Sequence, residues 1–514
     1  MFPKIKYIFN IIWENNFLET NIQNKLKLFS ILHLDKTVSI KQLCHSLRLS
    51  VSGINSIVDE LNWNFQGLAE IKKNSSFFSL FVNYDVNFFH LFHSIYRNSN
   101  VLHCLKFFIT NDQDIPFSEF IENEFLSKSN AYRIRTSCRY YLNNIGLDIK
   151  KNQITGEEYR IRFLIALLHY KYGIDCYDID DASIKTTRDF ILSTNQVIDM
   201  NYLEQTSNEY GYFECLFVLS WKRKDHPLST FQSEHLEKLK TVFIYEELKK
   251  SLKATVEPVL NTKFSENDYD YIYLVYCCTN SCLFADKWSQ EDISKVHDII
   301  FSNGAFSDLI HRFGKKFGKK IENSHSLRAT LIYFYKKCLL ELQCIIPDNN
   351  FYLDSKQNNL TLIIYNQLTD ILNSWQKTNK ISYKIDDNHL FYLSIQVEFI
   401  LRQYMKPIQI FVLSDLNAEL KVMSLYLKRS FSTKRIAITP FLLNAQNKNF
   451  FTLQKDSVFI VHRKFERIIT SWGIAENNTI VPISVEMNNR EIYHIQQAIM
   501  NYEKKIFLDF INHN

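Results

Sequence analysis

The stretch Lys128 to Leu147 carries Lys128, Arg133, Arg135 and Arg139 and no acidic residue, in a 514-residue chain whose formal charge is only +5. Positive charge gathered in this way attracts a duplex phosphate backbone, and the small total means that any such attraction is local. The run Ser127-Lys-Ser-Asn-Ala-Tyr-Arg-Ile-Arg-Thr136 puts short polar side chains at a helix start. That end of a recognition helix meets base edges, while flanking Lys and Arg hold phosphates. Asn can read adenine and Arg can read guanine through paired hydrogen bonds in the major groove. The candidate contacts are Lys128, Ser129, Asn130, Tyr132, Arg133, Arg135, Thr136 and Arg139, with Lys150 and Lys151 just beyond. The same composition would suit an amphipathic helix with a solvated basic face; its place as the third helix of a trihelical unit favours DNA contact.

An earlier segment offers a weaker set: Arg48, Ser50, Ser52 and Asn55, beside a helix that ends in Asp59 and Glu60. Contact with DNA and a purely structural role both suit it. Catalytic chemistry finds no support. The fifteen histidines form no H-E-x-x-H and no ligand-spaced pair with cysteine, so no metal site is expected. His90 and His93 suit helix packing. Gly314-Lys-Lys-Phe-Gly318 lacks the strand and the Ser/Thr of a P-loop, and no nucleophile elbow or dinucleotide fingerprint occurs. No enzyme activity and no cofactor are expected.

The elements that must position these residues repeat a grammar. Asn24 to Leu34, Ser39 to Leu47 and Val51 to Leu61 read as three helices with a tight turn at Arg48-Leu49-Ser50, and Glu70 to Val82 as a β-wing. Asn87 to Ile109 reads as one long helix, followed by Pro116 to Glu124 and Ser129 to Asn143, with Gly146 as a closing cap. Leu147 to Ile161 alternates like a hairpin wing turning at Lys150-Lys151-Asn152. From Arg160 to about Gln403 the pattern is helical throughout, including single helices over Leu236–Leu252 and Asp268–Phe284. After Pro407 short apolar strands at Ile408–Leu413, Arg435–Pro440, Ser457–Val461 and Ile480–Val485 alternate with helices, as in a small parallel α/β unit.

The chain is too long for one core. Ten glycines and eight prolines are too few for turn-rich β architecture. The ten cysteines form no C-x-x-C pair, which suits core thiols in a reducing cytosol. No stretch reaches the roughly 20 apolar residues of a membrane helix, and Met1 to Trp13 does not read as a signal peptide. A cytoplasmic protein without membrane contact is expected.

The run Asn152-Gln-Ile-Thr-Gly-Glu-Glu-Tyr-Arg-Ile-Arg162, continuing through Leu168 to Tyr172-Gly173, resembles the hallmark of the Mga family of Gram-positive virulence regulators. Phe125 to Arg135 matches it as well. Leu219-Ser-Trp-Lys-Arg223, Asp268 to Leu274 and Ala285-Asp-Lys-Trp288 point to the RofA-like streptococcal subgroup. The resemblance implies a mainly α multidomain chain. Its parts would be two winged helix-turn-helix domains (1–84 and 85–165), two all-α regulatory bundles of the phosphotransferase system (166–286 and 287–404) and a small α/β domain (405–514) similar to a IIB component. It further implies promoter duplex as partner, control of surface, adhesin and virulence genes, a homodimer or higher oligomer, and phosphocarrier proteins acting on histidine. The candidate phosphohistidines are His226, His235, His297, His311, His325 and His389. The first α/β strand ends Leu413-Ser414-Asp415 with no cysteine, so phosphoryl relay there is not expected. An RNA-binding antiterminator shares such bundles but opens with a β-rich module; a sensor acting only through protein contacts is the third reading.

Overall fold

The computed structural model describes residues 17–195, 207–231, 233–279, 283–302, 304–338, 341–347, 359–381, 385–431, 435–444, 448–474, 478–484 and 489–513. The expectation for Met1–Trp13 lies outside them, as does Val485, the last residue of the expected strand Ile480–Val485. The chain divides into two compact units: one of residues up to Leu309 with Ala329–Gln357 and Gln367–Leu393, the other of Ile310–Arg328, Asn358–Asn366 and Ser394–Asn514.

The first unit opens with α1 (Thr20–Asp35), β1 (Thr37–Ser39), α2 (Ile40–Leu47), α3 (Val51–Phe65), β2 (Ala69–Asn74) and β3 (Phe77–Val82). Ser39 and Ser50 start α2 and α3 by accepting from the amides of Gln42 and Gly53, both at 3.2 Å. Such caps satisfy amides that the first helical turn leaves open. Arg48, at φ +56, makes the left-handed exit from α2 that the tight turn requires. The strands form an antiparallel sheet in the order β1-β3-β2.

A second trihelical group follows, and here the expected long helix is two. α4 (Phe88–Tyr96) stops and α5 (Asn100–Thr110) restarts at Ser99, whose hydroxyl accepts from the Leu102 amide at 3.3 Å and donates to Glu19 at 2.7 Å. Periodicity cannot see this break, because the apolar stripe runs on across it. α6 (Phe117–Asn123) and α7 (Lys128–Asn144) lead into a hairpin, β4 (Leu147–Lys150) and β5 (Gln153–Gly156). Lys151 and Asn152 take φ +47 and +61 there, the double left-handed turn whose twist suits a two-residue hairpin loop. The hairpin is shorter than the alternation suggested, since Glu158 already begins α8 (Glu158–Tyr172). That helix is buried almost all round, so it runs through the core.

The helical region continues through Asp181–Ser193, Ser207–Lys222, Glu234–Leu239, Ile244–Thr255 and Glu266–Cys278, and later through Gln290–Phe301, Gly304–Phe317, His325–Cys338, Asn359–Asn379 and Asp387–Arg402. The expected helix over Leu236–Leu252 is broken at 240–243, and that over Asp268–Phe284 ends at Cys278. Reciprocal capping boxes, Ser265 with Asp268 and Ser289 with Asp292, fix two of the starts.

The carboxy-terminal part holds β6 (Ile408–Ser414), β7 (Ile436–Leu442), β8 (Ser457–His462) and β9 (Thr479–Ile483), all parallel in the order β7-β6-β8-β9. One sheet face packs on Asn417–Ser430 and Asn489–His513, the other on a cluster around Phe411, Phe451 and Ile469. β6 and β8 are apolar on both sides for that reason. Pro440 and Pro482 lie on the edge strands β7 and β9, where a missing ladder donor is tolerated. Helices dominate the fold, and this sheet region is small.

Candidate nucleic-acid interface

α7 has one sealed face and one open face. Ala131, Ile134, Cys138 and Leu142 are buried. On the opposite side, 100° per residue brings Ser129, Tyr132, Arg133, Thr136, Tyr140 and Asn143 to the surface. Ser127 caps the helix, its hydroxyl accepting from the Asn130 amide at 3.3 Å. The cap commits a side chain and leaves the helix start facing solvent. Arg133 Nη2 donates to the Asn130 side-chain oxygen Oδ1 at 3.0 Å, which links the two side chains expected to read bases. Lys128 is exposed beside them, and Lys150 and Lys151 are exposed at the hairpin turn.

Two of the expected contacts also bond within the fold. The Arg135 guanidinium lies over the rings of Phe117 and Phe108, 5.0 and 5.8 Å from their centroids, and is half-buried. Arg139 pairs with Asp148 at 3.2 Å and donates to the Ile149 carbonyl at 2.9 Å, tying α7 to β4. Both sit toward the flanks of the buried face, where charge patterning alone could not place them. Tyr140, 68% exposed, lies on the open stripe and was missed by charge counting, although its spacing from Thr136 and Arg133 would have found it. Tyr132 is 58% exposed and meets Phe117 edge to face, and Thr136 returns its hydroxyl to the Tyr132 carbonyl.

The earlier helix, α3, is a different surface. Ser50, Ser52 and Arg48 are exposed near its start, and the Ser50 and Ser52 hydroxyls meet at 2.9 Å. Lys73 of β2 donates to the Asn55 side-chain oxygen Oδ1 at 3.2 Å, so the sheet does bring a cation to this helix. Asp59 and Trp63 occupy the same outward stripe. Glu60 is bound to Lys25 at 2.8 Å and takes a bond from Asn21, which hold its carboxyl below the usual carboxylate range.

Immediately after the hairpin, Glu158 carries two buried guanidiniums. Its carboxylate accepts from Arg162 at 2.9 Å and from Arg223 at 2.7 and 2.8 Å. Arg162 stacks on Tyr271 at 4.8 Å and donates to the carbonyls of Arg223 and His226. The segment behind the hairpin is thereby bolted to the helices that follow it.

Two family models match the sequence: the Mga helix-turn-helix domain over residues 84–169, and the M protein trans-acting positive regulator (MGA) PRD domain over residues 184–400. Together they cover more than half of the chain. The chain belongs to the Mga family. The helix-turn-helix match takes in α4 to α8, with α7 and its hairpin at the centre. Mga-family membership makes the protein a DNA-binding transcription regulator whose PRD part links it to the phosphotransferase system. Residues 1–83 and 401–514 lie outside both matches. Among the curated proteins searched, none matches the chain.

All six candidate phosphohistidines fall within the PRD match. The structure does not treat them alike. His311 and His325 are exposed, the first with Nδ1 3.3 Å from Glu322. His226 and His297 are half-buried, His297 stacking on Phe301. His389 is 6% exposed with Nε2 3.1 Å from the Ile346 carbonyl, so a phosphoryl donor reaches it only if that contact opens. His235 lies on the helix Glu234–Leu239, and its side chain is outside the described set. Among the described residues there is no cluster of three or more His, Cys, Asp or Glu able to hold a metal, and no helix long and apolar enough to cross a membrane.

Proposed function

We propose that α7 enters the major groove of promoter duplex, with Ser129, Asn130, Tyr132, Arg133, Thr136 and Tyr140 toward the bases and Lys128 beside them on phosphate. In this reading each amino-terminal trihelical group is a winged helix-turn-helix, and the β4–β5 wing lays Lys150 and Lys151 over the neighbouring backbone. One observation carries it: the outward stripe of α7 is polar and aromatic, free of carboxylates, and backed by a sealed apolar face. The first group, with Arg48, Ser50, Ser52 and Asn55, supports that grip, since Asp59 on its outward face limits how much phosphate it can hold. The action is cytoplasmic, where the genome lies.

The finer assignments follow the same line. The run Asn152–Arg162 supports placement near the RofA-like subgroup, with surface, adhesin and virulence genes as targets. Phosphocarrier proteins acting on exposed histidines such as His311 and His325 would tune it by adding about −1.5 to −2 charges to a helix surface. The parallel β6–β9 unit resembles a IIB component without a phosphocysteine, since its first strand ends at Ser414 with Asp415 next, and serves self-association.

Arg133→Ala tests the central reading. It should weaken duplex binding and lower the slope of log affinity against log salt by roughly one, because one phosphate or base-edge charge is lost. Full-length protein titrated into a fluorescent duplex at several salt concentrations measures it. Wild-type affinity and slope in the variant would refute the assignment of α7.

A further inference from the structure

The carboxy-terminal end of α7 is held by an arginine from the next helix. Arg160, on the first turn of α8 and 8% exposed, donates Nη1 to the carbonyl of Ile145, the residue capping α7, at 3.2 Å. The same nitrogen lies 3.1 Å from the carbonyl of Glu341, and Nη2 is 3.3 Å from the Glu341 carboxylate. The guanidinium is closely fitted: a Cβ on Gly146, at φ +75, would come within 3.3 Å of it. Only the planar fork of arginine can serve acceptors on both sides at once.

Glu341 opens a short segment, Glu341–Ile346, that belongs to the PRD match. Its far end is fixed by PRD residues. The Tyr212 hydroxyl donates to the Ile345 carbonyl at 2.8 Å, the Gln343 side chain accepts from the Asp386 amide at 3.0 Å, and His389 Nε2 meets the Ile346 carbonyl at 3.1 Å. Leu342, Ile345 and Ile346 are buried in the same apolar cluster as Ile134, Leu142 and Ile145 of the DNA-binding part. The segment therefore joins groups set by the regulatory helices, at one end, to the cap of α7 at the other.

We propose that Arg160 is a positioning residue for DNA recognition, coupling the carboxy-terminal cap of α7 to the PRD segment Glu341–Ile346 so that the PRD region sets how α7 is presented. The inference rests on α7 being the helix that reads duplex. Arg160 is too buried to touch DNA, so its loss changes the aim of α7 and leaves the phosphate contacts in number as they were. The Glu341 carboxylate, 48% exposed, is the end of the link that can be removed without opening the core.

The test is Glu341→Gln in the full chain, with Arg160→Gln beside it. A duplex selected in vitro from random sequence and an unrelated duplex are titrated with each protein, and amide hydrogen exchange is followed at residues 143–147. Loss of the charge on this half-exposed bond should cut the ratio of specific to unrelated affinity by about threefold and speed exchange at the α7 cap by a similar factor. The salt slope should stay at the wild-type value, unlike that of Arg133→Ala. Arg160→Gln should act in the same direction and more strongly; should it unfold, Glu341→Gln decides alone. Wild-type specificity and wild-type exchange in Glu341→Gln would overturn the link. If the wild-type chain binds no duplex, the reading of α7 fails instead, and the exchange measurement still decides whether Glu341 holds the cap.

Discussion

Replacing Glu158 by Gln should destabilise the amino-terminal compact unit by about 3–5 kcal/mol, the cost of breaking a buried ion pair from one side. The side chains of Arg162 and Arg223 are 1% and 2% exposed and that of Glu158 9%, so water cannot take over the lost charge. The carboxylate supplies three accepted bonds, at 2.9, 2.7 and 2.8 Å. An amide keeps one accepting oxygen and turns an N–H group toward a guanidinium, so at least one bond is lost while the local excess charge rises. One Arg162 terminal nitrogen is already buried without a hydrogen-bond partner, which leaves little room to rearrange. Stacking of the guanidiniums on Tyr271 and Tyr177 at 4.8 and 5.3 Å offsets only about 1–2 kcal/mol of this. Urea unfolding of the full chain, read at its first transition by fluorescence and by hydrogen exchange across α8, measures the loss. Adding Arg223→Met should restore part of it, since one unpaired charge then leaves with its partner. A loss below about 1 kcal/mol is what an exposed pair would give, and would refute the claim that this carboxylate neutralises a buried cluster.

Two further outcomes follow from the packing of α4 on the end of α8. Burial pushes the His93 imidazole from 6.5 down to about 4, so the folded chain keeps it neutral. Between those values the unfolded chain binds a proton that the folded chain refuses, so stability is full above pH 6.5 and falls as pH drops toward 4; at pH 5 the loss is about 2 kcal/mol. Thermal unfolding of wild type and His93→Gln at pH 7 and pH 5 checks this: an equal acid-induced drop in both would count against it. Gly173→Ala should cost about 2–4 kcal/mol, because Gly173 sits at φ +65 and an added Cβ would lie 2.6 Å from the His93 ring. A melting temperature unchanged by that substitution would show that the α8 cap yields freely.

The sequence pattern disclosed the helices and strands wherever local chemistry marks them. Ser39 and Ser50 announced α2 and α3, the Lys150-Lys151-Asn152 turn announced the hairpin, and apolar runs announced β6 and β8, because caps, left-handed turns and burial on both sheet faces each leave a residue signature. Breaks inside an apolar stripe left none. The stop between α4 and α5 depends on Ser99 bonding Glu19, 80 positions away, and the break at 240–243 lies within a continuous periodic run. The same division holds for the candidate interface. The exposure of Lys128, Ser129 and Arg133 was legible because charge and helix spacing are local properties. The internal contacts of Arg135 and Arg139 were not, since the ring of Phe117 and the carboxylate of Asp148 are supplied by other elements.

That division bears on why the two trihelical groups are unequal. Both offer short polar residues at the start of a third helix and a hairpin behind it, and Asp59 and Glu60 already mark the first as the weaker set. Their backing differs. Behind α3 the neighbouring acid is spent locally, Glu60 on Lys25, within the amino-terminal group itself. Behind α7 the arginines of the next helix reach outward: Arg160 to Glu341, Arg162 to the carbonyls of Arg223 and His226. A helix wired to PRD residues can have its presentation altered by them, whereas the first group is joined directly to the second, through Glu19 and Ser99. Under the proposed reading of α7, regulation of DNA binding would pass through these arginines.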